Sequence, residues 1–95
     1  MTSAELQDFA EAHKTFWWWV KDVRALDEES IVQGTLNYGD WDDVQELIRI
    51  MGIEAAARAF YRDINVSARR RGNYHKKTLG FFLDYFKRHA SGVYA

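Results

Sequence analysis

Apolar residues three and four positions apart recur along most of the chain and indicate helices rather than strands. The clearest helical segment lies between Asp40 and Gly52. Its apolar positions fall on one face, and they are Trp41, Val44, Leu47, Ile48 and Met51. No segment alternates between apolar and polar residues for long enough to demand a sheet, although residues 17–23 could form a short extended piece. The pattern therefore predicts an all-α fold, a compact bundle of four to five helices with an aromatic-rich core.

Capping residues and glycines predict where several helices begin and end. Thr2 and Glu5 have the spacing of a capping box, and Asp27 and Asp40 precede apolar periodic segments as N-caps do. The glycines at the expected helix ends are Gly39, Gly52 and Gly72. Gly34 lies inside the helix that follows Asp27, where glycine is unfavourable. That helix is therefore the one with the weakest local support.

The last predicted helix, over residues 76–90, has an unusually wide apolar face. Phe81 and Tyr85 extend its apolar arc to roughly 200°, about twice the stripe that a surface helix needs. Such a helix is either central in the fold or shared with a partner. The polar and basic segment before it, residues 65–77, is predicted to be a loop or a frayed helix end.

Four large aromatic residues stand in a row, Phe16, Trp17, Trp18 and Trp19. Consecutive side chains point about 100° apart on a helix and to opposite faces of a strand. In either conformation, one of the three tryptophans should face away from the core. The chain's fifteen aromatic residues carry more ring surface than a core of this length readily hides. Exposed apolar surface is typical of interaction sites, and a dense aromatic core around the last helix is the alternative.

Length and composition predict one globular domain over residues 1–95, soluble and cytoplasmic. Cysteine is absent, which excludes disulfides and thiolate metal sites. The N-terminus lacks the basic and apolar pattern of a signal peptide, and no apolar run approaches the roughly 18 residues of a membrane span. No membrane association is therefore expected.

The net charge of −1 conceals two halves of opposite charge. Residues 1–57 hold twelve acidic and four basic side chains, whereas residues 58–95 hold nine basic and two acidic ones. This asymmetry favours a charged partner or self-association as a homo-oligomer. The alternative is that the two halves neutralise each other inside the folded domain.

Catalytic motifs are missing from the sequence, so no enzymatic activity, metal or cofactor is expected. The histidines lack metal-ligand spacing, and they are His13, His75 and His89. Asp40, Asp42 and Asp43 are better explained as residues of a helix N-terminus, where carboxylates accept hydrogen bonds from free N–H groups. The chain has neither a phosphate-binding glycine loop nor a dinucleotide fingerprint.

Five basic residues are concentrated before and at the start of the last helix, and they are Arg69, Arg70, Arg71, Lys76 and Lys77. Three interpretations remain open: solvated loop charge, contact with an acidic protein surface, or contact with nucleic-acid phosphates. Tyr74 would supply a stacking group for nucleic acid. Against a major-groove reader, Leu79, Phe81 and Phe82 occupy the first turns, where polar side chains would be needed.

Three segments, residues 16–52, 53–64 and 69–82, together resemble a family of small bacterial proteins with no assigned biochemical activity. The most specific parts are LNYGDWDDV, residues 36–44, and KKTL, residues 76–79. The residues that match the family pattern are Trp17 or Trp18, Leu26, Asp27, Leu36, Tyr38, Gly39, Asp40, Lys77, Thr78, Leu79 and Phe82. Residues 1–15 are an N-terminal helix extension to this family-like core, which spans 16–90. The triple tryptophan and the arginine-rich segment also depart from the pattern.

Members of that family are commonly encoded beside a nucleotidyltransferase-like toxin of the abortive-infection type. The resemblance therefore implies an antitoxin that neutralises its cognate toxin by direct binding. The expected partner-binding residues are Trp17, Trp18, Trp19, Arg69, Arg70, Arg71, Lys76, Lys77, Phe81 and Tyr85. The alternative is a DNA-binding transcriptional regulator that contacts operator DNA through the basic segment 69–77.

Overall fold

The computed structural model describes residues 3–66 and 68–90. Six α-helices occur within them, α1 (Ala4–Ala12), α2 (Glu28–Tyr38), α3 (Trp41–Met51), α4 (Ile53–Val66), α5 (Ala68–Arg71) and α6 (Lys76–His89). Two 3-10 helices, Lys14–Trp17 and Val23–Ala25, lie between α1 and α2. The all-α prediction is confirmed. The extended piece suggested for residues 17–23 is wrong, because the described chain forms turns there. Among the described helices, none has both the length and the apolar character needed to cross a bilayer.

Side-chain caps begin three of the helices, mostly where the sequence places them. Asp27 accepts a hydrogen bond from the Ser30 amide at 2.8 Å. Asp40 and Asp43 form a reciprocal capping box, with N–H···O distances of 2.9 and 3.1 Å. The α1 cap is Ser3, whose hydroxyl accepts from the Leu6 amide at 3.2 Å. The expected cap Thr2 lies outside the described residues.

The basic segment is more ordered than predicted. Helix α4 continues to Val66, and the arginines form the short helix α5 rather than a loop. Arg70 forms an ion pair with Asp63 of α4 at 2.7 Å, which ties the two helices together. The following turn is held against α2, because the side-chain amides of Gln33 and Asn37 both donate to the Asn73 carbonyl, at 3.1 and 3.0 Å. A pattern of polar residues cannot reveal these long-range partners.

Trp17 lies in the core and packs directly on a glycine of α2. Its side chain is 1% exposed, and its indole N–H donates to the Ser30 carbonyl at 2.9 Å. A Cβ on Gly34 would lie 2.2 Å from the indole nitrogen, so only glycine leaves room for the ring. This contact explains a glycine inside a helix. Its intrinsic cost of about 0.5–1 kcal/mol is small beside the several kcal/mol gained by burying a large aromatic side chain.

A second aromatic group joins α4 and α6 in the core. The ring of Phe60 lies 5.2 Å from that of Tyr74 and 5.3 Å from that of Phe86. Phe82 contacts Phe86 at 5.6 Å, and all four residues are buried. The prediction of an aromatic-rich core is therefore confirmed. The wide apolar arc of α6 is divided, because Phe81 lies outside this core and is 55% exposed.

We predict opposite effects for alanine at two helical glycines. Gly34→Ala should lower the free energy of unfolding by about 2–3 kcal/mol, because the new methyl group collides with the Trp17 indole. The matched control is Gly80→Ala in α6, where a Cβ would meet no atom within 4 Å. It should raise stability by about 0.5–1 kcal/mol. Urea denaturation of both variants measures the difference, and a Gly34→Ala variant as stable as the parent would contradict the packing.

Candidate interaction surface

The three consecutive tryptophans occupy very different environments. Trp17 is buried, whereas Trp18 is 80% exposed and Trp19 is 52% exposed. The prediction that one tryptophan faces away from the core is confirmed, and two of them do so. Trp17 cannot serve as an exposed partner-binding residue in this fold, because α2 covers its ring. The expected role of Trp17 in partner binding is therefore wrong, and the residue instead stabilises the core.

Trp18 and Trp19 begin a row of rings that we call the first aromatic cluster. Its members are Trp18, Trp19, Tyr38 and His75. Ring centroids along the row are 5.7 Å apart between the two tryptophans, 6.5 Å from Trp19 to Tyr38, and 5.3 Å from Tyr38 to His75. The row joins the turn after the first 3-10 helix, the end of α2 and the residue before α6. All four side chains are exposed.

A second aromatic cluster lies between α3 and α6 and consists of Trp41, Phe81, Tyr85 and His89. Trp41 contacts Phe81 at 6.2 Å and Tyr85 at 5.4 Å, both edge to face. Phe81 stacks on Tyr85 at 6.1 Å, and Tyr85 contacts His89 at 4.5 Å. Phe81 and Tyr85 were expected at an interaction surface. The periodicity of α3 predicts Trp41 on the core face of that helix, but in the structure Trp41 is 44% exposed.

An apolar groove of about 250 Å³ runs between α3 and α6 beside the second aromatic cluster. Trp41 and Phe81 are exposed at its sides, and its buried apolar lining residues are Leu36, Val44 and Phe82. Asp40 and Lys77 also line it and bring one charge of each sign. The volume is below the usual range for small-molecule sites. It is suited to one large apolar side chain of a partner.

The structure divides the basic residues into two groups. Arg69, Arg71, Lys76 and Lys77 are exposed and form no ion pair with another described residue. Arg70 instead pairs with Asp63, whose side chain is only 4% exposed. Burial raises the pKa of the Asp63 carboxyl, and the Arg70 guanidinium opposes that rise. Arg70 is therefore the counter-ion of a buried carboxylate, and its expected contact with a partner stays a prediction.

Tyr74 does not provide the expected stacking group for nucleic acid. It is buried against Phe60, and its hydroxyl has no hydrogen-bond partner within the described chain. Burial raises the pKa of Tyr74 above its ordinary value. The tyrosine instead anchors the turn before α6 to the core.

The acidic residues around Asp40 do not assemble a metal site. No group of three histidine or carboxylate side chains in residues 3–66 and 68–90 is placed to hold a metal ion. Asp40 and Asp43 are engaged with each other's backbone in the capping box. Their arrangement fits helix capping, which needs no cation.

Comparisons with protein-family models, with curated proteins and with solved structures found no match for this chain. Function must therefore be argued from the surface itself. Residues 36–44 and 76–79 lie far apart in the sequence, yet both contribute to the groove between α3 and α6. The lining residues that these two segments contribute are Leu36, Gly39, Asp40, Trp41, Val44, Lys77 and Thr78.

The Asp63–Arg70 pair generates a prediction about stability and pH. Arg70→Ala should lower the free energy of unfolding at pH 7 by about 2–3 kcal/mol, because it leaves a buried carboxylate without its counter-ion. A carboxyl with a higher pKa in the folded state makes folding less favourable as pH rises. The loss of unfolding free energy in Arg70→Ala should therefore become smaller as pH falls through the raised pKa of Asp63 towards its ordinary value, 3.8.

Denaturant unfolding between pH 4 and pH 7 tests this prediction. The double variant Asp63→Asn with Arg70→Ala is the control, since it removes the charge along with its counter-ion. It should lose less stability at pH 7 than Arg70→Ala alone. An equal loss for both variants, independent of pH, would contradict the ion-pair assignment.

Proposed function

We propose that this protein is an antitoxin-like binding module that neutralises a nucleotidyltransferase-type toxin by direct contact through the α3–α6 groove. One observation carries the proposal. The two segments that resemble the antitoxin family, residues 36–44 and 76–79, meet at one exposed apolar groove. Both segments are needed to form the groove, which is a physical reason for them to occur together in one protein.

The exposed rings beside the groove are suited to provide most of the binding energy. Trp41 and Phe81 are about half exposed and contact each other, so a partner side chain in the groove would cover both. Aromatic residues of this kind are enriched among the few that dominate interface energies. Their burial on binding removes apolar surface that the isolated chain leaves in water.

Charge identifies the kind of partner surface that fits. Lys76 and Lys77 stand at the start of α6 without an ion pair among described residues, and Lys77 lines the groove. The partner segment should therefore place an apolar side chain in the groove and a carboxylate near these lysines. Opposite charges steer association and fix the register of an interface. The neighbouring Arg69 and Arg71 would extend the contact with acidic groups.

The alternative function, DNA binding through residues 69–77, rests on the same unpaired cations. Two residues that it would use are committed elsewhere, because Arg70 pairs with Asp63 and Tyr74 is buried. The first turns of α6 also carry Phe82 in the core and Phe81 in the second aromatic cluster. The geometry therefore favours a protein partner.

Growth rescue tests the proposed function. The toxin encoded by the adjacent gene is expressed with this protein or with its Trp41→Ala/Phe81→Ala variant. The parent should restore growth, and the double variant should fail, because loss of two hot-spot residues weakens binding by at least about thirtyfold. Val66→Ala, which trims an exposed apolar residue outside the groove, is the control and should rescue fully.

Circular dichroism should show the same helix content for all three proteins. Full rescue by the double variant would remove the groove from the interface, and a neighbouring gene without such a toxin would contradict the function itself. Fluorescence anisotropy with the promoter DNA at two salt concentrations tests the alternative. Sequence-dependent binding with a steep salt dependence would favour the regulator.

A further inference from the structure

A second depression, separate from the α3–α6 groove, lies beside the first aromatic cluster. It is a cleft of about 430 Å³ between residues 17–26, α2 and the turn before α6. This volume falls within the usual range of small-molecule sites, about 300–1,000 Å³. The cleft shares no lining residue with the groove. The proposed function, which is built on the groove, does not use this cleft.

Two half-exposed aromatic rings form part of the cleft lining. Trp19 and Tyr38 both line it, with ring centroids 6.5 Å apart and ring planes inclined at 69°. A planar ligand can stack on one of these rings while its edge meets the other. Trp19 and Tyr38 are both about half exposed, so a ligand need not open the core to reach them.

Three uncharged polar residues also line the cleft, together with the apolar residues Trp17, Val20 and Leu26. Ser30, Gln33 and Asn73 line the cleft, and no lining residue carries a charge. The Ser30 hydroxyl, the Gln33 side-chain carbonyl and the Asn73 side-chain amide have no hydrogen-bond partner among described residues. Gln33 is held in place, since its amide donates to the Asn73 carbonyl. The cleft therefore offers fixed donors and acceptors beside aromatic faces.

Basic residues lie close in sequence to Asn73 of the cleft, whereas no residue that lines the cleft carries a charge. The His75 ring lies 5.3 Å from the Tyr38 ring. Arg71 and Lys76 flank Asn73 in the sequence, are exposed, and form no ion pair with a described residue. An anionic group attached to a ligand in the cleft would lie close to this basic turn.

We infer that the cleft binds a nucleobase that carries a phosphate. A base is planar and stacks on aromatic rings, and its edge pairs with hydroxyl and amide groups. Its phosphate would lie near Arg71, His75 and Lys76. The same chemistry is presented by a free mononucleotide and by an unpaired base in a single strand. The lining of this cleft is separate from the groove of the proposed toxin interface, although Arg71 and Lys76 are assigned to both contacts.

Isothermal titration calorimetry with the full-length protein tests the inference. The ligands are AMP, GMP, CMP and UMP, single-stranded dT8 and rU8, and inorganic phosphate. At least one nucleotide or oligonucleotide should bind with a dissociation constant below about 1 mM, and inorganic phosphate should not. Binding of an oligonucleotide at least about tenfold tighter than any mononucleotide would assign the site to single strands. Equal or weaker binding would assign it to free nucleotides.

Matched tryptophan variants locate the site. Trp19→Ala removes a cleft residue and should weaken binding at least about tenfold, whereas Trp41→Ala lies in the groove and should leave nucleotide affinity unchanged. Asn73→Ala provides a second test, because it removes only the free amide and retains the carbonyl that holds the turn. No nucleotide or oligonucleotide binding up to about 1 mM, or equal losses in Trp19→Ala and Trp41→Ala, would overturn the inference. The growth-rescue assay with the Trp19→Ala variant tests separately whether the groove still neutralises the toxin.

Discussion

The packing of the Trp17 indole on Gly34 determines much of the rest of the structure. Two features of α2 hold the ring, because Gly34 leaves no side chain in its way and the Ser30 carbonyl accepts its N–H. Trp17 ends a 3-10 helix, and Trp18 and Trp19 follow it in a turn that leads the chain away from the core. Once this ring is inside, the two that follow must point elsewhere. The buried tryptophan is therefore the physical cause of the exposed pair.

The turn between α2 and α3 has a similar effect on the other rings. Tyr38 ends α2, Trp41 begins α3, and the Asp40–Asp43 capping box sets the direction of the chain between them. Tyr38 contacts His75 at the start of α6, and Trp41 contacts Phe81 further along the same helix. A short turn thus distributes aromatic residues to two sites. One is the proposed protein groove, and the other borders the proposed nucleotide cleft.

The opposite charges of the two halves are only partly neutralised inside the fold. Arg62 of α4 joins the halves through Glu28 and Glu29 of α2, at 3.5 and 2.6 Å. Other ion pairs lie within one half, as between Arg24 and Asp8. The cations at the start of α6 remain available for a charged partner or ligand. Exposed pairs contribute little to stability, so the charge asymmetry is more informative about binding than about folding.

The sequence alone determined the helical character of the chain, the caps at Asp27 and Asp40, and an excess of aromatic surface. These features depend on residues within a few positions of each other, so periodicity and capping chemistry suffice to predict them. Only the tertiary structure decided which tryptophan is buried, that Arg70 and Tyr74 serve the core, and that Trp41 stands beside Phe81. Each of these outcomes depends on a contact between segments distant in sequence, such as Trp17 with Gly34 or Asp63 with Arg70. A local pattern records how hydrophobic a position is, but not which distant residue leaves room for it or supplies its counter-ion.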